Sequence, residues 1–95
     1  MSGKLAEIKE HAVPVLIKHD IVEAYIFGST ARGDNTANSD VDILARFRAP
    51  GDLFEFVGAK LDLEDALGKN VDLVEMGALR PEFRPYVDQE KVRIV

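Results

Sequence analysis

The stretch from Phe27 to Asp42 constrains the fold more than any other part of this sequence. It begins with a Gly-Ser pair after one apolar segment and ends with two aspartates, Asp40 and Asp42, at the start of the next apolar segment. In an extended strand, residues i and i+2 point to the same face, so both carboxylates share one side. Two like charges on one face cost free energy unless a cation lies there. The fold must therefore keep this face available to a positive partner.

The surrounding pattern predicts one α/β domain in which helices and strands alternate. Apolar residues at helical spacing and turn signals predict helices over 3–19, 29–32, 52–67 and 81–89. Segments rich in β-branched and aromatic residues predict three strands and a terminal edge strand: 21–27, 40–47, 70–75 and 91–95. Pro14 either kinks the first helix or starts a second one, and Pro85 is expected to distort the interior of the last helix.

The helix predicted over 52–67 has clear ends and a wide apolar stripe. Asp52 and Glu55 resemble a capping box, and Gly68 is a typical residue just beyond a helix C-terminus. We expect the apolar stripe to lie across the sheet; it comprises Leu53, Phe54, Phe56, Val57, Leu61, Leu63 and Leu67. The acidic residues of this helix are predicted to form an ordinary solvated face: Asp62, Glu64 and Asp65.

The composition disfavours several classes of function. The 95-residue chain has 17 acidic and 12 basic residues, a net charge of −5, whereas a free nucleic-acid binder normally presents a basic face. There is no cysteine, which excludes disulfides and thiolate metal sites. His11 and His19 have no ligand spacing and are expected to face solvent. Neither a signal peptide nor a membrane-length apolar run is evident, so a cytoplasmic location is the expectation.

The Gly28-Ser29 pair is the first candidate for ligand binding. Glycine permits a sharp turn and a close approach of ligand to backbone, and a helix that starts after a strand offers N–H groups to phosphate oxygens. Ser29 is predicted to cap the short helix and can add a hydrogen bond. Taken alone, the pair is more typical of a plain glycine turn with a serine cap. It matches neither a Walker A loop nor a dinucleotide-binding fingerprint.

The aspartates are the second candidate. Carboxylate oxygens suit Mg²⁺, which usually takes one or two carboxylates together with phosphates and waters. The Asp40/Asp42 pair alone fits a polar strand surface equally well. Asp72, thirty residues beyond Asp42 in another apolar strand, joins the pair if the two strands are neighbours. Three such carboxylates are typical of a two-metal phosphoryl-transfer or nucleotidyl-transfer site. The role of Arg32 is left open among three alternatives: it binds the triphosphate, it pairs with the aspartates, or it is simply exposed.

The ordered set of motifs resembles the nucleotidyltransferase superfamily of DNA polymerase β type, and more narrowly the minimal nucleotidyltransferases, which are stand-alone proteins of this length. The resemblance covers about residues 25 to 75 and rests on Gly28-Ser29-x-Ala31-Arg32-Gly33, Ser39-Asp40-x-Asp42 and Asp72. It implies a single nucleotidyltransferase domain over 1–95, with one small mixed β-sheet and flanking helices.

The resemblance also implies a mechanism in which AMP passes from ATP to a hydroxyl and pyrophosphate leaves. The residues that would hold two Mg²⁺ ions and carry catalysis are Asp40, Asp42 and Asp72. Asp72 would also help to deprotonate the acceptor. The residues that would bind the nucleotide are Gly28, Ser29, Arg32 and Ser39.

The short chain has no room for a domain that binds the acceptor. Minimal nucleotidyltransferases often accompany an all-helical HEPN-type toxin, so the resemblance implies an antitoxin that attaches AMP to a tyrosine of that partner. The alternative is a non-catalytic module that neutralises its partner by contact. Nucleic-acid end addition is disfavoured by the charge. The apolar content leaves room for a homodimer or a hetero-complex, and no membrane association is expected.

Overall fold

A four-stranded sheet carries the fold in the computed structural model, which describes residues 3–33, 40–49 and 51–95. Its strands are β1 (Ile21–Phe27), β2 (Val41–Phe47), β3 (Val71–Glu75) and β4 (Val92–Arg93). They lie in the order β3-β2-β1-β4, with β1 antiparallel to both β2 and β4, and β2 parallel to β3. The predicted mixed sheet and terminal edge strand are therefore confirmed, and β2 begins at Val41, one residue after the predicted start.

Four α-helices flank the sheet: α1 (Gly3–Lys18), α2 (Gly28–Arg32), α3 (Leu53–Leu67) and α4 (Arg84–Glu90). Two 3-10 turns, Met76–Ala78 and Pro81–Phe83, lie between β3 and α4. Helix α1 continues through Pro14 as one element. Within the described ranges, no helix combines the length and apolarity needed to cross a bilayer.

Two predictions about helix starts were wrong. Ser29 does not cap α2, because the chain turns at Gly28 with φ +73° and the helix already begins there, after extended Phe27. Pro85 does not distort a helix interior, because the 3-10 turn precedes α4 and leaves this proline in its first turn. A missing N–H is tolerated in the first turn, since that group has no partner inside the helix.

Helix α3 has the predicted ends. The Asp52 Oδ1 atom accepts a hydrogen bond from the Glu55 backbone N–H at 2.9 Å. At the other end, Gly68 adopts φ 65°, and its N–H donates to the Glu64 carbonyl at 2.8 Å. These contacts satisfy backbone groups that the helix itself leaves unpaired.

The sheet has two unlike faces. Helices α1 and α3 cover one face, where the largest buried side chains include Leu16, Ile26, Ile43 and Leu63. The other face has a smaller apolar cluster of Tyr25, Leu44 and Val87, the last from α4. Strand alternation sets Asp42 on the same face as Leu44, and Asp72 on the same face as Val74. The core thus lies behind the sheet, and the candidate carboxylates lie in front of it.

The expectation that the whole apolar stripe of α3 lies against the sheet was wrong. Ala59 and Leu63 are buried, and Phe56 and Leu67 pack against the core. The other members are exposed: Leu53, Phe54, Val57 and Leu61. Only one side of a helix can pack on a sheet. The apolar residues of α3 therefore form two separate stripes, one buried and one exposed.

His19 also differs from the prediction, whereas His11 is exposed as expected. His19 is half-buried, and its Nε2 atom lies 2.7 Å from Asp62 Oδ2. Lys18 approaches the same carboxylate at 3.8 Å. Asp62 therefore joins the end of α1 to α3 and is more than a solvated surface residue.

The burial difference between Leu63 and Leu61 predicts unequal costs of truncation. Leu63 has no exposed surface, whereas Leu61 is 56% exposed. Leu63→Ala is expected to lower the free energy of unfolding by about 2–5 kcal/mol, because it removes packed methyl groups and leaves a cavity. Leu61→Ala is the matched control, with an expected cost below about 1 kcal/mol. Urea unfolding of both variants measures the difference, and equal costs would contradict this packing.

Candidate functional site

Asp42 and Asp72 lie side by side at the centre of the candidate site. They are register partners in the parallel pair of β2 and β3, so their backbones are about 4.8 Å apart and their side chains share a face. Asp42 is half-buried and Asp72 is exposed. Asp40 immediately precedes β2 and is exposed. Asp42 and Asp72 are thus neighbours on the front face of the sheet, and Asp40 is near enough for its charge to act on Asp42.

The environment of Asp42 disfavours its charged form. Burial is the largest cause that raises the pKa of this carboxyl, followed by the negative charges of Asp72 and Asp40. The positive charge of Arg32 opposes them and lowers the pKa by a smaller amount. A cation bound here would relieve this repulsion, because it favours the ionised carboxylates.

Gly28 brings the phosphate-binding candidate into direct contact with Asp42. Phe27 and Asp42 are register partners, so the turn at Gly28 follows directly beside the carboxylate. A Cβ atom built on Gly28 would collide with Asp42 Oδ2 and lie 3.2 Å from its Cγ. The positive φ of +73° also favours glycine at this position. The first turn of α2, which has backbone N–H groups without helical partners, therefore adjoins the carboxylates.

Arg32 is held by a residue that the sequence analysis missed. Its Nη1 atom donates to both carboxylate oxygens of Glu90 in α4, at 3.1 and 3.0 Å. Arg32 is therefore more than an exposed surface residue, and it also affects the pKa of Asp42. Glu90 lies 58 residues away in the chain, and no local pattern connects the two residues.

Of the two remaining predicted nucleotide ligands, Ser29 and Ser39, the structure describes only Ser29. Ser29 is half-buried in the first turn of α2, and Ser39 lies outside the described residues. Thr30, which the sequence analysis passed over, is only 3% exposed. Its Oγ1 atom has no hydrogen-bond partner in the described part of the chain. A buried hydroxyl without a partner is costly, so Thr30 is a second residue of interest in α2.

The donor set suits a hard cation that shares its ligands with a substrate. Across 3–33, 40–49 and 51–95, no three His, Asp or Glu side chains are arranged as a preformed metal cage. Mg²⁺ typically uses one or two carboxylates and completes its shell with phosphates and waters. The adjacent Asp42 and Asp72 carboxylates, with Asp40 nearby and a glycine turn beside them, fit that mode of binding.

The nucleotidyltransferase domain family matches residues 7–95. A protein of Methanocaldococcus jannaschii, provisionally named a protein adenylyltransferase, is 37% identical over 89 residues, which cover 94% of this chain and 96% of the relative.

Two solved structures are also similar. A protein provisionally described as a minimal nucleotidyltransferase has a TM-score of 0.80 at 34% identity, covering 93% of this chain and 90% of its own. A chain from the complex of a tri-AMPylated Shewanella oneidensis HEPN toxin with an MNT antitoxin has a TM-score of 0.74 at 18% identity. That match covers 97% of this chain and 71% of the other, and it shows a shared fold.

A side chain at Gly28 would be unfavourable for two reasons that experiments can separate: the collision of its Cβ atom with Asp42, and the positive φ of the backbone. Gly28→Ala is expected to lower the free energy of unfolding by about 1–3 kcal/mol for the positive φ, with a further loss from contact with Asp42. Gly33→Ala is the matched control, because φ is +80° there and no described atom lies within 4 Å of the new Cβ. Thermal unfolding gives both values. In an Asp42→Ala background the excess at Gly28 should disappear, and its persistence would contradict the contact.

The raised pKa of Asp42 predicts how stability depends on pH. Between the ordinary carboxyl pKa and the raised one, the folded state binds more protons than the unfolded state. The contribution of Asp42 is therefore most favourable below the ordinary value and is lost as pH rises through this window. Asp42→Asn should raise the melting temperature at neutral pH and flatten this fall. Asp65→Asn, at an exposed position on α3, is the control for the loss of a carboxylate away from the site. Melting curves from pH 3 to pH 8 test the sign of this pH dependence. A steeper fall in melting temperature for Asp42→Asn than for the wild-type chain would contradict it.

Proposed function

The chain belongs to the nucleotidyltransferase domain family, and from this membership we propose that it transfers AMP from ATP to a tyrosine hydroxyl of a HEPN-type partner protein. In this role it acts as the antitoxin of a toxin–antitoxin pair. The observation that carries the proposal is the Asp42–Asp72 pair packed beside the Gly28 turn. Carboxylates for a metal and backbone donors for phosphates lie next to each other, as a metal-bound triphosphate requires.

The acceptor class is supported by the relatives. The M. jannaschii relative carries the name of a protein adenylyltransferase, and the Shewanella complex contains an AMP-modified HEPN toxin beside an MNT antitoxin. A protein acceptor brings its own surface to the site.

The residues of this chain divide the work as follows. Asp40, Asp42 and Asp72 would hold two Mg²⁺ ions, which would neutralise triphosphate charge and favour the departure of pyrophosphate. Gly28 and Ser29 bind phosphate oxygens through the first turn of α2.

In the transfer step, the acceptor oxygen forms a bond to the α-phosphorus and the bond to the β-phosphate oxygen breaks. The hydroxyl proton passes to the carboxylate of Asp72, which lies beside Asp42 and is open to an incoming acceptor. The raised pKa of Asp42 means that bound Mg²⁺ must compete with a proton at that carboxyl. Metal binding at this site should therefore weaken as pH falls.

The proposal predicts that removal of two metal-binding charges abolishes transfer. Asp40→Asn/Asp42→Asn should lower AMP transfer from α-labelled ATP to the purified partner by on the order of 1,000-fold. Glu10→Gln, at an exposed position on α1, should transfer normally. Magnesium chloride alone should raise the melting temperature of the wild-type chain and leave that of the double variant unchanged.

The same variants separate catalysis from contact. If wild-type protein labels no partner, transfer is not the function. If the double variant still neutralises the partner in cells, the chain acts by contact, and the AMP-transfer proposal fails even though the fold and the nucleotide site are intact.

A further inference from the structure

Helix α3 carries a second apolar stripe that faces away from the core. We call it the α3 stripe, and it comprises Leu53, Phe54, Val57 and Leu61. Phe54 is 86% exposed, far more than an aromatic residue in a folded domain usually is. At about 100° per residue, the centre of this stripe lies roughly 130° around the helix from the centre of the buried stripe. The two stripes are thus separate faces of α3.

The α3 stripe lies on the side of α3 that adjoins β3. Between the two stripes lies Glu64, which accepts a hydrogen bond from the Val71 backbone N–H at 3.0 Å, and Val71 begins β3. The opposite side of α3 holds Asp62, which contacts His19 at the end of α1. Strand β3 is an edge strand of the sheet, and it carries Asp72 on the front face. A protein docked on the α3 stripe therefore lies at the same edge of the molecule as Asp72.

The charges around the α3 stripe indicate what covers it. Asp65 and Glu64 flank its C-terminal half. Lys60 is the one basic residue of α3, and it pairs with Glu64 at 2.9 Å. A second copy of this chain, with its net charge of −5, would bring like charges together. A partner that carries lysine and arginine beside apolar side chains has the complementary charge.

We propose that the α3 stripe binds the HEPN-type partner through a helix that has apolar residues flanked by lysine or arginine. The inference rests on the partner named in the proposed function and adds the surface that holds it. An amphipathic helix on a hydrophobic surface is a common form of protein recognition. Docking at this edge brings the rest of the partner past β3 toward Asp72 and Asp42, where its hydroxyl meets the nucleotide.

The first test compares two pairs of exposed side chains. Phe54→Ser/Leu61→Ser removes the centre of the α3 stripe without touching the core. Phe83→Ser/Tyr86→Ser is the matched control, because both residues are exposed but belong to the segment around α4. Titration with purified partner measures Kd, and transfer from α-labelled ATP gives kcat and the KM for the partner.

The stripe variant should raise Kd and the KM for the partner by about tenfold to 100-fold and leave kcat unchanged at saturating partner. The control should retain wild-type Kd. A separate charge variant, Asp65→Lys, should weaken binding and reduce its dependence on salt. Circular dichroism and melting curves verify that every variant remains folded.

Four results would overturn the docking surface. The first two are wild-type Kd in the stripe variant and a larger loss in the control than in the stripe variant. The third is a wild-type dimer that the stripe variant dissociates in sedimentation velocity without partner. The fourth is failure of the wild-type chain to bind the partner. If the wild-type chain binds and labels the partner but the stripe variant binds equally well, the transfer function stands and the surface is wrong. If binding depends on the stripe but no AMP is transferred, the surface stands and the transfer function is wrong.

Discussion

The parallel pairing of β2 and β3 is the contact on which the candidate site depends. Its register sets Asp42 directly beside Asp72, and a shift by one residue would send Asp72 to the opposite face of the sheet. The register is held from behind, where Val41, Ile43, Val71 and Leu73 bury their side chains against α1 and α3. The hydrophobic core behind the sheet thus fixes the positions of the Asp42 and Asp72 carboxyl groups on the front face.

The carboxylates on the front face of the sheet disfavour the folded state, and the hydrophobic core behind the sheet offsets this cost. Burial and two neighbouring carboxylates raise the pKa of Asp42, so the ionised site is electrostatically unfavourable without a cation. Gly28 leaves no side chain to separate this carboxylate from the turn into α2. Arg32 supplies partial relief, and Glu90 orients it from α4. Glu90 also neutralises part of the charge of Arg32, so a bound cation would be needed to offset the remaining repulsion among the aspartates.

Local patterns predicted the elements well, and long-range contacts account for what they missed. The strands, the capping of α3 by Asp52 and its end at Gly68 follow from residues within a few positions of one another. The approach of Asp72 to Asp42 required a conditional step, because the sequence does not state which strands are neighbours. Glu90 was missed because its contact with Arg32 depends on how α4 packs. The prediction that Ser29 caps α2 was wrong because the chain turns into the helix at Gly28, one residue before the serine.

The error in α3 has a physical cause that bears on function. Apolar residues on a helix predict burial, but a four-stranded sheet offers one side of α3 a surface to pack on. The sequence nevertheless retains Leu53, Phe54, Val57 and Leu61 on the other side, with acidic residues around them. An apolar stripe of this kind promotes association, and the acidic rim selects against a second acidic copy. In our proposal this surface holds a basic protein at the edge of the sheet where Asp72 lies.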